Sequence, residues 1–302
     1  MSDKKHDVED YQESLLQLLA EVEPGATVTD ITSVGEAYAN NAYDLRLCSP
    51  TGVESRFVVK RYAGQAKNAE LEYQTLALLQ SHQVRVPEPV FLDAEGLFLG
   101  APTIVTRHIG GESMWTSPQG LHCAGEMARM LARIHSVLVD DQLQALLLDA
   151  NRDALWFVKP EGIPTYMADH PDGQAIWQAI PELLAARRQV VPTLVHLDFW
   201  MGNVLWDDMR ISAVLDWEEA AFGDPAVDVG YCRMDMFLSR MGPAAADELL
   251  RVYEAEMGHT VENLSLWEFA AAPRCMHDPD WELECRQELR DFIGAARRRS
   301  GF

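Results

Sequence analysis

The sequence predicts an α+β protein in two parts: a small antiparallel β-sheet lobe carrying a helix, then a larger, mainly helical lobe. Three observations lead there. Short strand-like runs separated by turn residues crowd the first third of the chain. Helical periodicity dominates after Gly110-Gly111. One compact β segment near 194–216 interrupts the helices. With 302 residues, 48% of them hydrophobic, the chain is long and apolar enough to build two such bodies with a sizeable core.

The elements follow in order. Val8, Tyr11, Leu15, Leu18 and Leu19 recur at helical spacing, so 8–22 reads as an amphipathic helix that stops at Pro24-Gly25. Strand-like runs at 27–33, 43–48 and 55–61 follow, the last two joined by the turn residues Ser49-Pro50-Thr51-Gly52. A helix over 67–82 carries Leu71, Leu76, Leu78 and Leu79, and Val86-Pro87-Glu88-Pro89 ends the pattern. Strands fit at 89–92 and 102–107, and Gly110-Gly111 reads as a flexible junction. Helices are then expected at 119–138, 174–190, 244–257, 263–273 and 281–297. The expected lobes are 1–106 and 107–302, with the cleft between them as the default place for a ligand.

Composition narrows the function. The formal net charge of −22 repels nucleic acid and anionic membrane surfaces, and would attract cationic small molecules as well as keep the chain soluble. Five cysteines without a CxxC pair argue against a disulfide framework and a structural zinc site, and the Cys275, His277, Asp278 cluster alone makes no metal site. The first ten residues are polar and no apolar run approaches membrane-spanning length, so a cytoplasmic location is expected. Nothing in the sequence fixes the oligomeric state.

The chemistry concentrates between Val195 and Gly230. Asp198 and Asn203 lie five residues apart with Gly202 between them, a spacing that lets a tight loop point both polar side chains one way. Val204-Leu205-Trp206 and Ile211 to Leu215 read as two strands of a hairpin about the turn Asp207-Asp208-Met209-Arg210. A hairpin brings its ends together, so Asn203 and Asp216 should lie side by side. One amide oxygen and one carboxylate make a hard oxygen site suited to Mg²⁺ shared with a nucleotide's phosphates. Asp198 stands separate, free to accept a proton, which is what phosphoryl transfer to a hydroxyl needs. A single Asp of this kind is ordinarily a turn or cap residue; an ordered set on one hairpin is not. Gly223-Asp224-Pro225 reads as a helix start, with Asp224 as N-cap and Pro225 at the first helical position.

The stretch His196-Leu197-Asp198-Phe199-Trp200-Met201-Gly202-Asn203, followed by Leu215-Asp216-Trp217, resembles the aminoglycoside phosphotransferase family. That family belongs with choline, homoserine and protein kinases, whose catalytic loop reads His-x-Asp-x-x-x-x-Asn. The resemblance spans about residues 30–235 and implies a bilobal protein-kinase-like fold. It implies Asp198 as catalytic base, Asn203 as a metal ligand and Asp216, in the place of the kinase Asp-Phe-Gly, as the main Mg²⁺ ligand. His196 would brace the loop and Asp228 would reach back to tie it down; a first-turn Asp favoured by the helix dipole is the plainer reading of Asp228.

On the nucleotide side, Val58-Val59-Lys60-Arg61 looks like the strand of the kinase lysine, placing Lys60 on the α- and β-phosphates. Its partner would be Glu72, whose spacing to Leu76 and Leu79 fits the family helix, with Glu70 the alternative. The loop 33–41 stands where the family has its phosphate loop, and Asn40 before Tyr43 is similar to the family's Asn-x-x-Tyr, so Asn40 would touch phosphates. Adenine would meet backbone groups near Arg107 and Ile109, where nothing separates ATP from GTP. For the acceptor, Trp200, Glu218, Glu219 and Asp235 are candidates, and acidic groups suit a cationic aminoglycoside-like molecule or amino alcohol; a sugar remains open. The function expected is ATP-dependent, Mg²⁺-assisted transfer of the γ-phosphoryl group to a small-molecule hydroxyl. The alternative is a catalytically silent nucleotide sensor of the same fold, which would normally have lost the lysine, base or metal ligand. A protein kinase is disfavoured: only a few residues separate Trp217 from Gly223, and no Ala-Pro-Glu segment follows.

Overall fold

The computed structural model describes residues 3–36, 40–62 and 66–301; the side chains of 3–10, 35, 36, 40 and 66 fall outside that description. The chain divides into two compact units, Met1–Gly110 and Gly111–Phe302. Among the described residues no helix is long and apolar enough to cross a membrane.

The first unit contains α1 (Asp3–Val22), β1 (Thr27–Glu36), β2 (Asn40–Cys48), β3 (Glu54–Tyr62), α2 (Ala66–Ser81), β4 (Pro89–Asp93) and β5 (Thr103–Arg107). Its five strands form one antiparallel sheet in the order β1-β2-β3-β5-β4. Period-two alternation divides β3 between two faces. Phe57 and Val59 join Leu45 and Leu47 of β2 and Leu15, Leu18 and Leu19 of α1 in a fully buried core. Each such side chain contributes about 1.5–3 kcal/mol by leaving water. Lys60 and Tyr62 take the other face, where α2 lies.

The second unit begins with β6 (Glu112–Ser113), α3 (Gly120–His135), α4 (Asp141–Gln144), β7 (Leu148–Asp149), α5 (Ala150–Asp153), α6 (Thr165–Ala168) and α7 (Gly173–Ala185). It continues with β8 (Thr193–Val195), β9 (Val204–Asp207), β10 (Arg210–Val214) and β11 (Ala221–Gly223), then α8 (Ala226–Leu238), α9 (Gly242–Met257), α10 (Leu264–His277), α11 (Pro279–Glu284) and α12 (Arg286–Ser300). Every residue of α8 is buried, so this helix is the axis around which the unit packs. Its Arg233 donates through Nε to Glu268 Oε1 of α10 at 2.8 Å, both side chains almost wholly enclosed. Two small sheets, β10-β9-β6 and β7-β11-β8, carry the loop described below. The β7–β11 pair is parallel.

Several boundaries differ from the sequence reading, each for a local reason. The division falls after Gly110 rather than after residue 106, because Arg107 N donates to Glu88 O at 2.9 Å and His108 N to Arg56 O at 3.0 Å. Gly111, read as a flexible junction, has φ of 138° and no room for a Cβ, which would stand 2.4 Å from Ser212 Oγ; close approach to the β9–β10 hairpin requires the glycine. The helix expected to run to 190 ends at Ala185, and Arg188 beyond it is tied to Asn263 through N–H to Oδ1 at 2.9 Å and Nδ2 to Arg188 O at 3.0 Å. The helix expected to stop at 273 runs through Pro273 to His277. The final helix breaks at Cys285, and α11 is capped by Asp278, whose Oδ1 accepts Trp281 N at 3.1 Å.

Candidate active site

In the first unit Lys60 Nζ lies 2.8 Å from Glu72 Oε2, with side-chain exposures of 15% and 6%. Tyr62 donates its hydroxyl to the same carboxylate oxygen. Glu70, the other candidate, is exposed. The i, i+2 relation on β3 puts Lys60 and Tyr62 on one face, and α2 lays Glu72 against both. Residues 37–39 and the side chain of Asn40 lie outside the described residues, so the phosphate-loop expectation has no structural description. At Arg107 the N–H donates to Glu88 O at 2.9 Å and the side chain pairs with Glu88 Oε2 at 3.0 Å, which narrows what its backbone could offer adenine to the carbonyl. Ile109 lies beyond these sheet bonds.

In the second unit the segment from His196 to Asn203 is held at both ends by α8. Asp228 Oδ2 accepts His196 N at 2.7 Å and Oδ1 accepts Leu197 N at 2.8 Å. Seven residues on, two helical turns along the same face, Asp235 Oδ2 accepts Met201 N at 3.0 Å. Asp235 also takes the hydroxyl of Ser239 at 2.9 Å and is 6% exposed. Its expected place on the acceptor side is therefore corrected: the side chain is enclosed, and its oxygens brace Met201 and Ser239 inside the fold. Burial, partly offset by these two donors, pushes the Asp235 carboxyl up to about 6.

Asp228 behaves oppositely. Burial drives its pKa upward, but His135 at 3.2 Å and the loop N–H donors outweigh it and hold the carboxyl below its usual value. His135 in turn meets the Tyr253 hydroxyl through Nδ1 at 2.7 Å. The Nε2–H tautomer satisfies both contacts.

His196 is wholly buried, packs 4.4 Å from the Trp217 ring, and donates Nε2–H to Leu215 O at 2.8 Å. Its Nδ1 accepts Asp198 N at 3.3 Å. Leu197 follows in the left-handed region, φ 67°, and turns the chain so that Asp198 leaves the core, half-buried. Asn203 donates Nδ2 to Asp198 Oδ2 at 2.8 Å and to Asp198 O at 3.0 Å. Gly202 is needed here because a Cβ would stand 2.4 Å from the Trp200 ring. Trp200 packs edge-on against Trp115, centroids 4.9 Å apart.

The hairpin is built as its sequence suggests. Asp207 pairs with Arg210, and the two turn residues Asp208 and Met209 both have positive φ, the primed turn that matches strand twist. At the open end Leu215 N donates to Asn203 O at 2.8 Å, bringing the chain at Asp216 beside Asn203. Asp216 itself has φ 62°. Both nitrogens of His196 are used internally, so this end offers oxygen donors: the Asn203 amide and the Asp216 carboxylate. Such a donor set fits a hard cation. Glu218 is half-buried and Glu219 exposed nearby in sequence.

Sequence reasoning missed Arg274. From α10 it donates Nη1 to Asp198 Oδ1 and Nη2 to Leu197 O, both at 3.0 Å. The available signal was a lone basic residue closing the apolar run Phe269 to Pro273. Asp224 caps α8 by accepting Ala226 N at 3.0 Å, with Pro225 already helical, and also binds Asn263 and Trp267.

Among curated proteins the chain is 26% identical over 267 residues to mouse acyl-CoA dehydrogenase family member 10, covering 78% of this chain and 24% of that protein. It is 25% identical over 201 residues to the homoserine kinase of Polaromonas naphthalenivorans, covering 62% of each. The matches thus span less than two thirds of either relative. Among solved structures, an aminoglycoside phosphotransferase in ternary complex with AMP-PNP and hygromycin B superposes with a TM-score of 0.61 at 20% identity, covering 94% of this chain and 98% of that one. The α+β fold is therefore that of the aminoglycoside phosphotransferases. A model of the phosphotransferase enzyme family matches residues 30–269, most of the length, and the chain belongs to that family.

Proposed function

We propose that the chain is an ATP-dependent phosphotransferase that moves the γ-phosphoryl group to a hydroxyl of a small molecule. The observation that supports this most is Asp198, a half-buried carboxylate fixed by Asn203 Nδ2 at 2.8 Å beside the hairpin end that carries Asp216. In this reading the Met1–Gly110 unit binds nucleotide and the Gly111–Phe302 unit supplies the catalytic loop and the acceptor side. Lys60, aimed by Glu72, binds the α- and β-phosphates. Backbone at Ile109 receives the base, and Asn40 the phosphates. Asn203 and Asp216 would hold Mg²⁺, which when bound neutralises phosphate charge. Asp198 orients the acceptor hydroxyl and takes its proton as the oxygen attacks the γ-phosphorus and the bond to the ADP oxygen breaks.

Supporting relatives include a homoserine kinase and a phosphotransferase crystallised with an ATP analogue and hygromycin B. Glu218 and Glu219 favour a cationic acceptor, an aminoglycoside-like molecule or amino alcohol, with sugars as neutral candidates. The test is ATP consumption and thermal shift with Mg²⁺ against a panel of these three classes. One class should raise consumption well above the water background, and Asp198→Ala should abolish the increase. A nucleotide-dependent thermal shift with no consumption for any acceptor would identify a silent nucleotide sensor instead.

A further inference from the structure

The loop from His196 to Asn203 contains no lysine or arginine, yet a guanidinium reaches it from 76 residues away in sequence. Arg274 is 14% exposed and lies 4.3 Å over the Tyr231 ring and 5.6 Å from the Phe157 ring. Its fork is divided between consecutive residues: Nη1 on Asp198 Oδ1, Nη2 on Leu197 O, both at 3.0 Å. A cation kept merely for packing or surface charge has no need to address both. Leu197 is the left-handed residue on which the direction of Asp198 depends. Its N–H is held by Asp228 and its C=O by Arg274, so the strained peptide is clamped from both sides. The Asp198 carboxylate is likewise held on both oxygens, Oδ1 by Arg274 and Oδ2 by Asn203, which fixes its plane.

We propose that Arg274 is the positioning residue of the transfer step: its fork holds the left-handed turn at Leu197 and aims the Asp198 carboxylate at the acceptor oxygen. The inference rests on Asp198 being the base. A planar fork spans two acceptors at fixed spacing; an ammonium at the same place is a point charge without that geometry. Charge alone therefore does not substitute.

The experiment uses the full chain and Mg·ATP with water as acceptor, read as phosphate release. Arg274→Ala should lower kcat about 10- to 100-fold while the KM for ATP stays within about twofold, because misaiming a reacting group costs rate rather than nucleotide binding. Guanidinium ion at about 20 mM, far below denaturing concentrations, should restore part of the rate in Arg274→Ala and none in Asp198→Asn. Added to Asp198→Asn, the alanine change should cost no more than about twofold, since it acts through Asp198. Arg274→Lys, which keeps the charge, carries the test if the alanine variant unfolds: it should keep the urea midpoint near that of the parent and lose at least about fivefold in kcat. Parent-like kcat in Arg274→Ala or Arg274→Lys overturns the proposal, as does an Arg274→Ala loss that is equally large with Asp198→Asn already present. Failure of the base assignment is a separate result, seen as parent-like turnover in Asp198→Asn alone.

Discussion

Lys60 Nζ sits 2.8 Å from Glu72 Oε2, while Glu70, one turn-fraction earlier on the same helix, faces solvent. Two residues of offset rotate a side chain about 200° around a helix, so only one of these carboxylates can meet β3. Lys60→Ala and Glu72→Ala should each impair Mg·ATP binding or turnover, and Glu70→Ala should be nearly silent. If Lys60 and Glu72 act as one unit, the double variant should be little worse than Lys60→Ala. Steady-state kinetics on the four variants checks this; additive losses would separate the two roles.

The hairpin end makes a graded prediction. Asp198→Ala should lower the transfer rate about 10²- to 10⁴-fold, the usual worth of a positioned proton acceptor, with little change in ATP affinity. If these two residues hold the metal, Asp216→Asn exchanges a carboxylate for an amide and Asn203→Ala removes an amide, so Mg²⁺ titrations should show the larger rise in metal requirement for Asp216→Asn. Turnover in both variants at parental metal concentration would remove Asn203 and Asp216 from the metal site.

What the sequence revealed and concealed follows physical lines. The sheet strands announce themselves by alternation, and the β9–β10 hairpin by two apolar runs around a turn. The α8 helix had a visible start at Asp224-Pro225 but no readable face, because all of it is buried and its apolar residues wrap right round. That also disguised Asp235, which reads as an acidic group for a ligand yet serves as a backbone acceptor for Met201. Arg274 was invisible for a different reason: Pro273 is a conventional stop, and a helix ended there leaves Arg274 in a loop rather than on α10 facing Asp198. Contacts this distant in sequence leave no local pattern.

Asp228 should be the most costly single carboxylate to remove. It satisfies the N–H groups of His196 and Leu197 together with His135 Nε2, all buried. Asp228→Ala leaves these donors without an acceptor and should destabilise by about 3–5 kcal/mol in urea unfolding. Its folded pKa lies below the unfolded value, so its stabilisation is present above pH about 3.9 and is lost as pH falls through the lower, folded value. The stability gap between parent and variant should therefore be full at pH 6 and shrink only in strong acid.

Asp235 reverses that sign. Its carboxyl is pushed up to about 6 by burial, against an unfolded value of about 3.9. Well below pH about 4 both states hold the proton and the group costs nothing. Between pH about 4 and 6 the unfolded chain ionises first, so folding weakens as pH rises, and above 6 the cost levels off at about 2–3 kcal/mol. An asparagine can keep both contacts, accepting Met201 N through Oδ1 and donating Nδ2 to Ser239 Oγ, without any charge to desolvate. Asp235→Asn should accordingly raise the unfolding temperature at pH 7.5, by about 2–4 °C for each kcal/mol regained, and by much less at pH 4. Asp235→Ala, which strands the Met201 N–H, should be destabilised at both pH values relative to Asp235→Asn. A gain from asparagine that is the same at pH 4 and 7.5 would mean that ionisation of Asp235 is not what weakens the fold.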